Sequence, residues 1–229
     1  NYDVIFFPYN WLADLNDSVT ALQDHINSNG YQKVVFVTHS TGGLLASAYI
    51  AKNYANKKKT EKAILIAAPL YGTYSSLNPI ETGKEEIVVD KVKDALKDLG
   101  NVGDILQPFA LSRTYKFVRK AVHNSPTTYQ LLPSIEYLKL MPQLYTDEFN
   151  GNAITNIEDY YSVLNGSSNI NSNLTNGNKR SHKKFRNNIG DIVSVLQEVD
   201  TILIGTSEGH KTLAIAEYGI YSNKTELMN

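Results

Sequence analysis

Val34-Val35-Phe36-Val37-Thr38-His39-Ser40-Thr41-Gly42-Gly43 is the stretch on which the reading of this chain turns. Four apolar residues, each β-branched or aromatic, predict a buried strand, because a parallel sheet covered on both faces needs continuous rather than alternating apolar residues. Leu44, Ala48 and Ala51 then recur at helical spacing within a run of small residues. Ser40 therefore falls on the turn between a strand and a helix.

A nucleophile elbow needs that placement: a sharp turn lifts the serine hydroxyl clear of the sheet and leaves little room for side chains on either side of it. The following helix start contributes free N–H groups and a partial positive end, which favour an oxyanion nearby. The Thr41 N–H is the expected first half of an oxyanion hole, a donor of a kind worth about 3–4 kcal/mol where one has been removed. The usual pattern is G-x-S-x-G, and here Thr38 stands in its first position, at the upper limit of what counts as small. The competing account is a serine that only opens a helix, since serine is a favoured N-cap residue.

Upstream, Val4-Ile5-Phe6-Phe7 predicts a short strand ending at Pro8, followed by a loop with Tyr9 and Trp11. These two aromatics are candidates for the wall of a binding cleft, with plain loop packing as the alternative. Asn16-Asp17-Ser18 offers a helix cap before Val19, Leu22 and Ile26, and Gly30 closes that helix. Strand, helix, strand, elbow, helix is an α/β alternation that argues for a mostly parallel sheet.

Downstream, Lys57-Lys58-Lys59 reads as a solvated turn and Ala63-Ile64-Leu65-Ile66-Ala67 as the next strand. Tyr71, in the loop leaving it, is a third candidate cleft residue, because ligands of open parallel sheets sit at the carboxyl ends of the strands. The sheet pattern then lapses for about 125 residues, too long for a plain connection. This segment predicts a helical cap: Val88, Val92, Ala95 and Leu99 mark one amphipathic helix, and Tyr115, Val118 and Val122 a second. Arg113, Lys116, Arg119 and Lys120 around the second suit either a solvated face or contact with anionic lipid head groups. Residues 165–181, rich in Asn, Ser and Gly, predict a loop, Asn188 to Val199 a helix, Thr201 to Gly205 a last sheet strand, and Leu213 to Ile220 a hairpin arm. The division is a core with the elbow over residues 1–70, a cap over 71–195, and a return to the sheet over 196–229.

A formal net charge of −1 gives no reason to expect nucleic acid as a partner. The chain has no cysteine, so thiolate metal sites and disulfides are unavailable, which fits a cytosolic protein or one secreted by an organism that does not rely on disulfides. No pair of histidines stands at H-x-x-x-H spacing, and neither metal nor cofactor is called for. A serine nucleophile needs a base and an orienting acid that follow it in the chain. Among His25, His39, His123, His182 and His210, the first two are expected to be structural, His123 and His182 to lie on the surface, and His210 to sit where the acid belongs.

Taken in order, Tyr9-Asn10-Trp11, Thr38-His39-Ser40-Thr41-Gly42-Gly43, Ala68-Pro69-Leu70-Tyr71-Gly72, Tyr129-Gln130-Leu131-Leu132-Pro133-Ser134 and Ile204-Gly205-Thr206 resemble the lecithin:cholesterol acyltransferase family, which includes lysosomal phospholipase and many bacterial members. The resemblance implies an α/β-hydrolase fold with a helical cap. It implies acyl transfer from a lipid ester through an acyl-serine on Ser40, to water or another alcohol, with a membrane or lipoprotein surface as a further contact and a secreted or cell-surface bacterial location. It also implies that the oxyanion loop precedes position 1 and that the catalytic aspartate and histidine follow position 229, so that this chain is a central portion with little esterase activity by itself. A generic carboxylesterase or peptidase on the same fold, and a lipid- or partner-binding module without a working triad, are the alternatives.

Overall fold

The computed structural model describes residues 2–73, 76–84, 86–134, 136–137, 182–205 and 225–228. Its elements, numbered along these residues, are α1 (Leu15–Ser28), β1 (Val34–His39), α2 (Thr41–Lys52), α3 (Tyr54–Lys59), β2 (Thr60–Ile66), α4 (Leu77–Thr82), α5 (Glu86–Lys97), α6 (Asn101–His123), α7 (Pro126–Gln130), α8 (residues 182–189), α9 (Ile192–Gln197), β3 (Asp200–Ile204) and β4 (Thr225–Met228). The chain is an α/β protein.

β1, β2 and β3 form a parallel sheet in that order, and β4 adds to β3 in the same direction. The register sets His39 beside Ile66 and Ile66 beside Ile204, so three strands end at one level. β4 is a strand that the sequence pattern did not predict.

α2 is the hub. Residues Gly43 to Ile50 are all buried, and a helix apolar around its whole circumference belongs inside a core. It packs on β1 and β2 from one side and meets α1, α3 and α9 on others. α1 contributes Leu15, Val19, Leu22 and Ile26 at three- and four-residue spacing; Phe185 and Ile189 of α8 and Ile192 and Leu196 of α9 complete the cluster. Two buried polar groups in this region are satisfied locally: Ser47 Oγ donates to the Gly43 carbonyl at 2.8 Å, and Asn56 Nδ2 donates to the Tyr49 carbonyl at 2.9 Å.

Several sequence expectations are corrected. Val4 to Phe7 is not a strand: residues 2–10 carry no ladder, Val4 is 98% exposed, and only Phe7 and Tyr9 reach the core cluster. A strand needs a neighbour for its N–H groups, and this run has none among the described residues. β1 is not buried on both faces either: Val37 on one face is exposed, while Val34 and Phe36 on the other pack inward, and among the described residues β1 is the first strand of the sheet. α1 starts at Leu15 with Asp14 as its cap, accepting from the Asn16 N–H at 2.8 Å, rather than at Asn16-Asp17-Ser18. Lys57-Lys58-Lys59 forms the last turn of α3 instead of a loop. The expected single helix from Asn188 to Val199 is two, parted at Gly190, whose φ is 60°. The predicted loop over 165–181 and the hairpin arm Leu213 to Ile220 lie outside the described residues.

Both helices expected in this segment are present, α5 packed on the longer α6 that follows it after Leu99-Gly100, with α4 and α7 also against α6. This helical layer is tied to the start of α1 by hydrogen bonds: Ser125 Oγ to the Leu12 carbonyl at 2.9 Å, Thr127 Oγ1 to the Ala13 carbonyl, and the Leu15 N–H to Gln130 Oε1 at 2.9 Å.

Candidate functional site

The ladder between β1 and β2 runs one residue past the strand, with the Ser40 N–H donating to the Ile66 carbonyl at 2.9 Å. The chain then turns at once into α2. Ser40 makes that turn at φ 53° and ψ −128°, a conformation that side-chain-bearing residues adopt rarely and that costs of order 1–3 kcal/mol. Ser40 occupies the N-cap position of α2, yet its side chain makes no capping hydrogen bond. The helix-opening account is thereby deprived of its one physical signature, while a strained strand-to-helix turn is the geometry of an elbow.

The first helical N–H groups are arranged accordingly. Gly43 N–H donates back to the Ser40 carbonyl at 2.9 Å, whereas the Thr41 N–H has no partner among the described residues. The Thr41 donor is thus available at the positive end of a 12-residue helix, beside a partly exposed hydroxyl.

The glycine that the packing demands is one place later than the five-residue pattern suggests. A Cβ at Gly42 meets only Thr38 Cβ at 3.6 Å and the Tyr9 hydroxyl at 3.9 Å, ordinary contacts. A Cβ at Gly43 stands 2.4 Å from Ala68 Cβ, which is impossible without movement. Thr38 is accommodated because its hydroxyl turns to the Ile64 carbonyl at 3.3 Å.

β2 ends in the same manner. The Ala67 N–H donates to the Ile204 carbonyl at 2.8 Å, and Ala67 then takes φ 47°, so two adjacent strands each finish in a left-handed, side-chain-bearing residue. No residue pattern marks Ala67 for this, since alanine carries no preference for positive φ.

Of the aromatics, Tyr9 is half-buried with its hydroxyl close to Gly42, and burial pushes its pKa up. Tyr71 is half-buried on the core cluster, its pKa pushed to about 12 by burial, then by the charges of Asp191 and Glu136. Trp11 is 65% exposed on the surface.

Arg186 is the residue that sequence reasoning missed. Its guanidinium donates to the carbonyls of Leu70 at 2.8 Å, Gln130 at 2.9 Å and Leu132 at 3.3 Å, pinning the loop that holds Tyr71 to the end of α7 and the turn after it. The same loops exchange backbone bonds, Thr73 N–H to Leu131 at 2.7 Å and Ser134 N–H to Tyr71 at 2.8 Å. Gly72, at φ 92°, sits where a Cβ comes within 2.4 Å of the Leu132 carbonyl oxygen. The available signal was Phe185, Ile189, Ile192 and Leu196 at helical spacing, which extends the helical pattern back far enough to place Arg186 against the core.

None of the histidines among the described residues hydrogen-bonds the serine. His25 lies between the rings of Phe7 and Tyr31, with centroids at 5.6 and 6.1 Å, and His39 is exposed. His123 and His182, expected on the surface, are buried instead. Nε2 of His123 donates to the Ile80 carbonyl at 2.6 Å, and burial lowers its pKa. Nε2 of His182 donates to the Leu132 carbonyl at 3.4 Å; burial, then the nearby Arg186 charge, lowers its pKa to about 3. His210 lies outside the described residues. Ser40 Oγ therefore has no hydrogen-bonding base among the described residues, and no group of acidic and histidine side chains there stands ready to hold a metal. A cavity of about 390 Å³ opens between α4 and α6, lined by Thr82, Pro108, Leu111, Tyr115 and Arg119 with Lys116 at its rim, and none of the residues around Ser40 lines it. Comparison of the chain with protein-family models, with curated proteins and with solved structures returns no match.

Proposed function

We propose that Ser40 is the nucleophile of an α/β-hydrolase-type acyl hydrolase or O-acyltransferase acting on lipid esters. One observation carries the reading: Ser40 is held at φ 53° on a strand-to-helix turn, without the capping bond that would explain it otherwise. In this reading Ser40 Oγ attacks the ester carbonyl, its proton passing to a base, and the Thr41 N–H receives the carbonyl oxygen as negative charge builds on it. Collapse expels the alcohol and leaves an acyl-serine, which water or a second alcohol then resolves. Tyr9 and Tyr71 supply apolar wall with a polar tip, suited to an acyl chain and its ester group. The family resemblance through Ser40, Tyr71 and Gln130 to Ser134 names the lipid ester as substrate, and no cofactor enters the chemistry.

The test is covalent labelling. A fluorophosphonate probe applied to the native protein is expected to give an adduct mapped by mass spectrometry to the peptide containing Ser40, lost in Ser40→Ala. An unlabelled Ser40, or labelling that survives the substitution, removes the proposal. A second reading, a lipid-binding module that keeps the fold without turnover, is favoured by His123 and His182 being bonded to backbone carbonyls and by the lack of a hydrogen bond from any histidine to Ser40 among the described residues; lipid binding without any adduct at Ser40 would select it.

A further inference from the structure

The longest helix among the described residues carries an exposed face. α6 spans 23 residues, about 34 Å at 1.5 Å per residue. On a 3.6-residue period Val102, Ile105, Leu106 and Phe109 share one side with Arg113, Lys116, Phe117 and Lys120. The helix turns its other side to α5, α4 and α7, and Gly103 lets α5 come so close that a Cβ there would lie 2.1 Å from the Leu96 carbonyl oxygen. Ile105, Phe109 and Phe117 are each 74% exposed. Scattered exposed apolar residues are ordinary, but a continuous row along one helix face marks an interaction surface.

The charge pattern says which kind. The face is apolar over its N-terminal half and basic over its C-terminal half, and Arg113, Lys116 and Lys120 have no ion-pair partner among the described residues. Asp98 precedes the face and Asp104 projects from the opposite side. A second copy fits poorly, since antiparallel pairing of two such faces sets Arg113 and Lys116 against Phe109 and Ile105, and parallel pairing sets cation on cation. An anionic bilayer meets both halves at once: side chains enter the acyl boundary at one end while guanidinium and ammonium groups stay among the head groups at the other.

We propose that α6 docks on an anionic lipid surface, with Val102, Ile105, Leu106 and Phe109 inserted and Arg113, Lys116 and Lys120 on the head groups. This rests on the α6 face alone and stands or falls separately from the chemistry at Ser40.

Sedimentation of the chain with vesicles of phosphatidylglycerol and phosphatidylcholine, against phosphatidylcholine alone, tests it. Three neighbouring cations at roughly fivefold each predict about a hundredfold stronger partitioning onto the anionic vesicles, falling as sodium chloride is raised. Ile105→Asp with Phe109→Asp is expected to lower partitioning by about tenfold or more. Arg113→Glu with Lys116→Glu and Lys120→Glu is expected to abolish the preference for phosphatidylglycerol. All these positions are exposed, so circular dichroism should stay as in the wild type; the milder Val102→Ser with Phe117→Ser should weaken binding in the same direction. Absence of partitioning, or partitioning indifferent to these variants, overturns the proposal. So does concentration-dependent dimerisation that Ile105→Asp with Phe109→Asp abolishes while vesicles remain unbound, which would give the face to a second copy.

Discussion

Ser40 pays a conformational penalty that its neighbours do not relieve, and this makes it a testable residue whatever its chemistry. At φ 53° a Cβ costs of order 1–3 kcal/mol, whereas glycine reaches positive φ freely. Ser40→Gly is therefore expected to raise unfolding stability by about 1 kcal/mol in urea titration, in spite of the flexibility glycine adds to the unfolded chain. Ser40→Ala, which keeps the Cβ and removes a hydroxyl without a hydrogen bond among the described residues, should change it by less than about 0.5 kcal/mol. A destabilised Ser40→Gly would show that the turn is not strained. The residue was legible in the sequence because an apolar run stops at a serine followed by two glycines. Which glycine the packing needs was not legible, since Gly43 is constrained by Ala68, 25 positions away.

At the scale of elements, the two loops that flank Gly72 and Leu132 are joined by Arg186. Hydrogen bonds from a charged donor are worth about 1.5–3 kcal/mol each when measured singly, and here three carbonyls depend on one guanidinium. Arg186→Met is expected to cost more than about 2 kcal/mol and to open residues 69–73 and 129–133 to limited proteolysis. Arg186→Lys should fall between, because an ammonium cannot span three acceptors as a planar fork does. Wild-type stability and protease resistance in both variants would show that the loops hold themselves together. Helices α1, α2, α5 and α6 were readable from their periods, and β1, β2 and β3 from their apolar runs. Val4 to Phe7 was misread because an apolar run specifies a strand only where a neighbouring strand supplies partners, and that neighbour is not a property of the run.

At the scale of the whole molecule, two histidines are folded into apolar surroundings in their neutral form. His182 titrates near its usual value once unfolded and at about 3 when folded, so the unfolded chain binds the extra proton first as pH falls. Its contribution is complete above pH 6.5 and is lost between there and about pH 3, by about 1.4 kcal/mol per unit. His123 shifts in the same direction. The urea midpoint is expected to drop between pH 7 and pH 5, and His182→Gln to flatten that slope. An unchanged midpoint over this range would mean that His182 is not buried as described. Both residues were assigned to the surface from sequence because His123 falls in the expected cap and His182 in a polar stretch, where an exposed histidine is the default; in the structure they are buried against the Ile80 and Leu132 carbonyls.

The sequence by itself determined the alternation of strand and helix, the site of the sharp turn at Ser40, and the helices through Val88 to Ala95 and through Tyr115 to Val122, while the extension of the second back to Asn101 came from the structure. These are matters of local period and side-chain size, which neighbours a few residues apart decide. Only the tertiary structure decided that one face of β1 is exposed, that His123 and His182 are buried, that Arg186 joins segments more than fifty residues away, and that one face of α6 is exposed among the described residues. Each of these depends on which surfaces meet, and surfaces distant in the chain meet for reasons of packing and hydrogen bonding that no short stretch of residues contains.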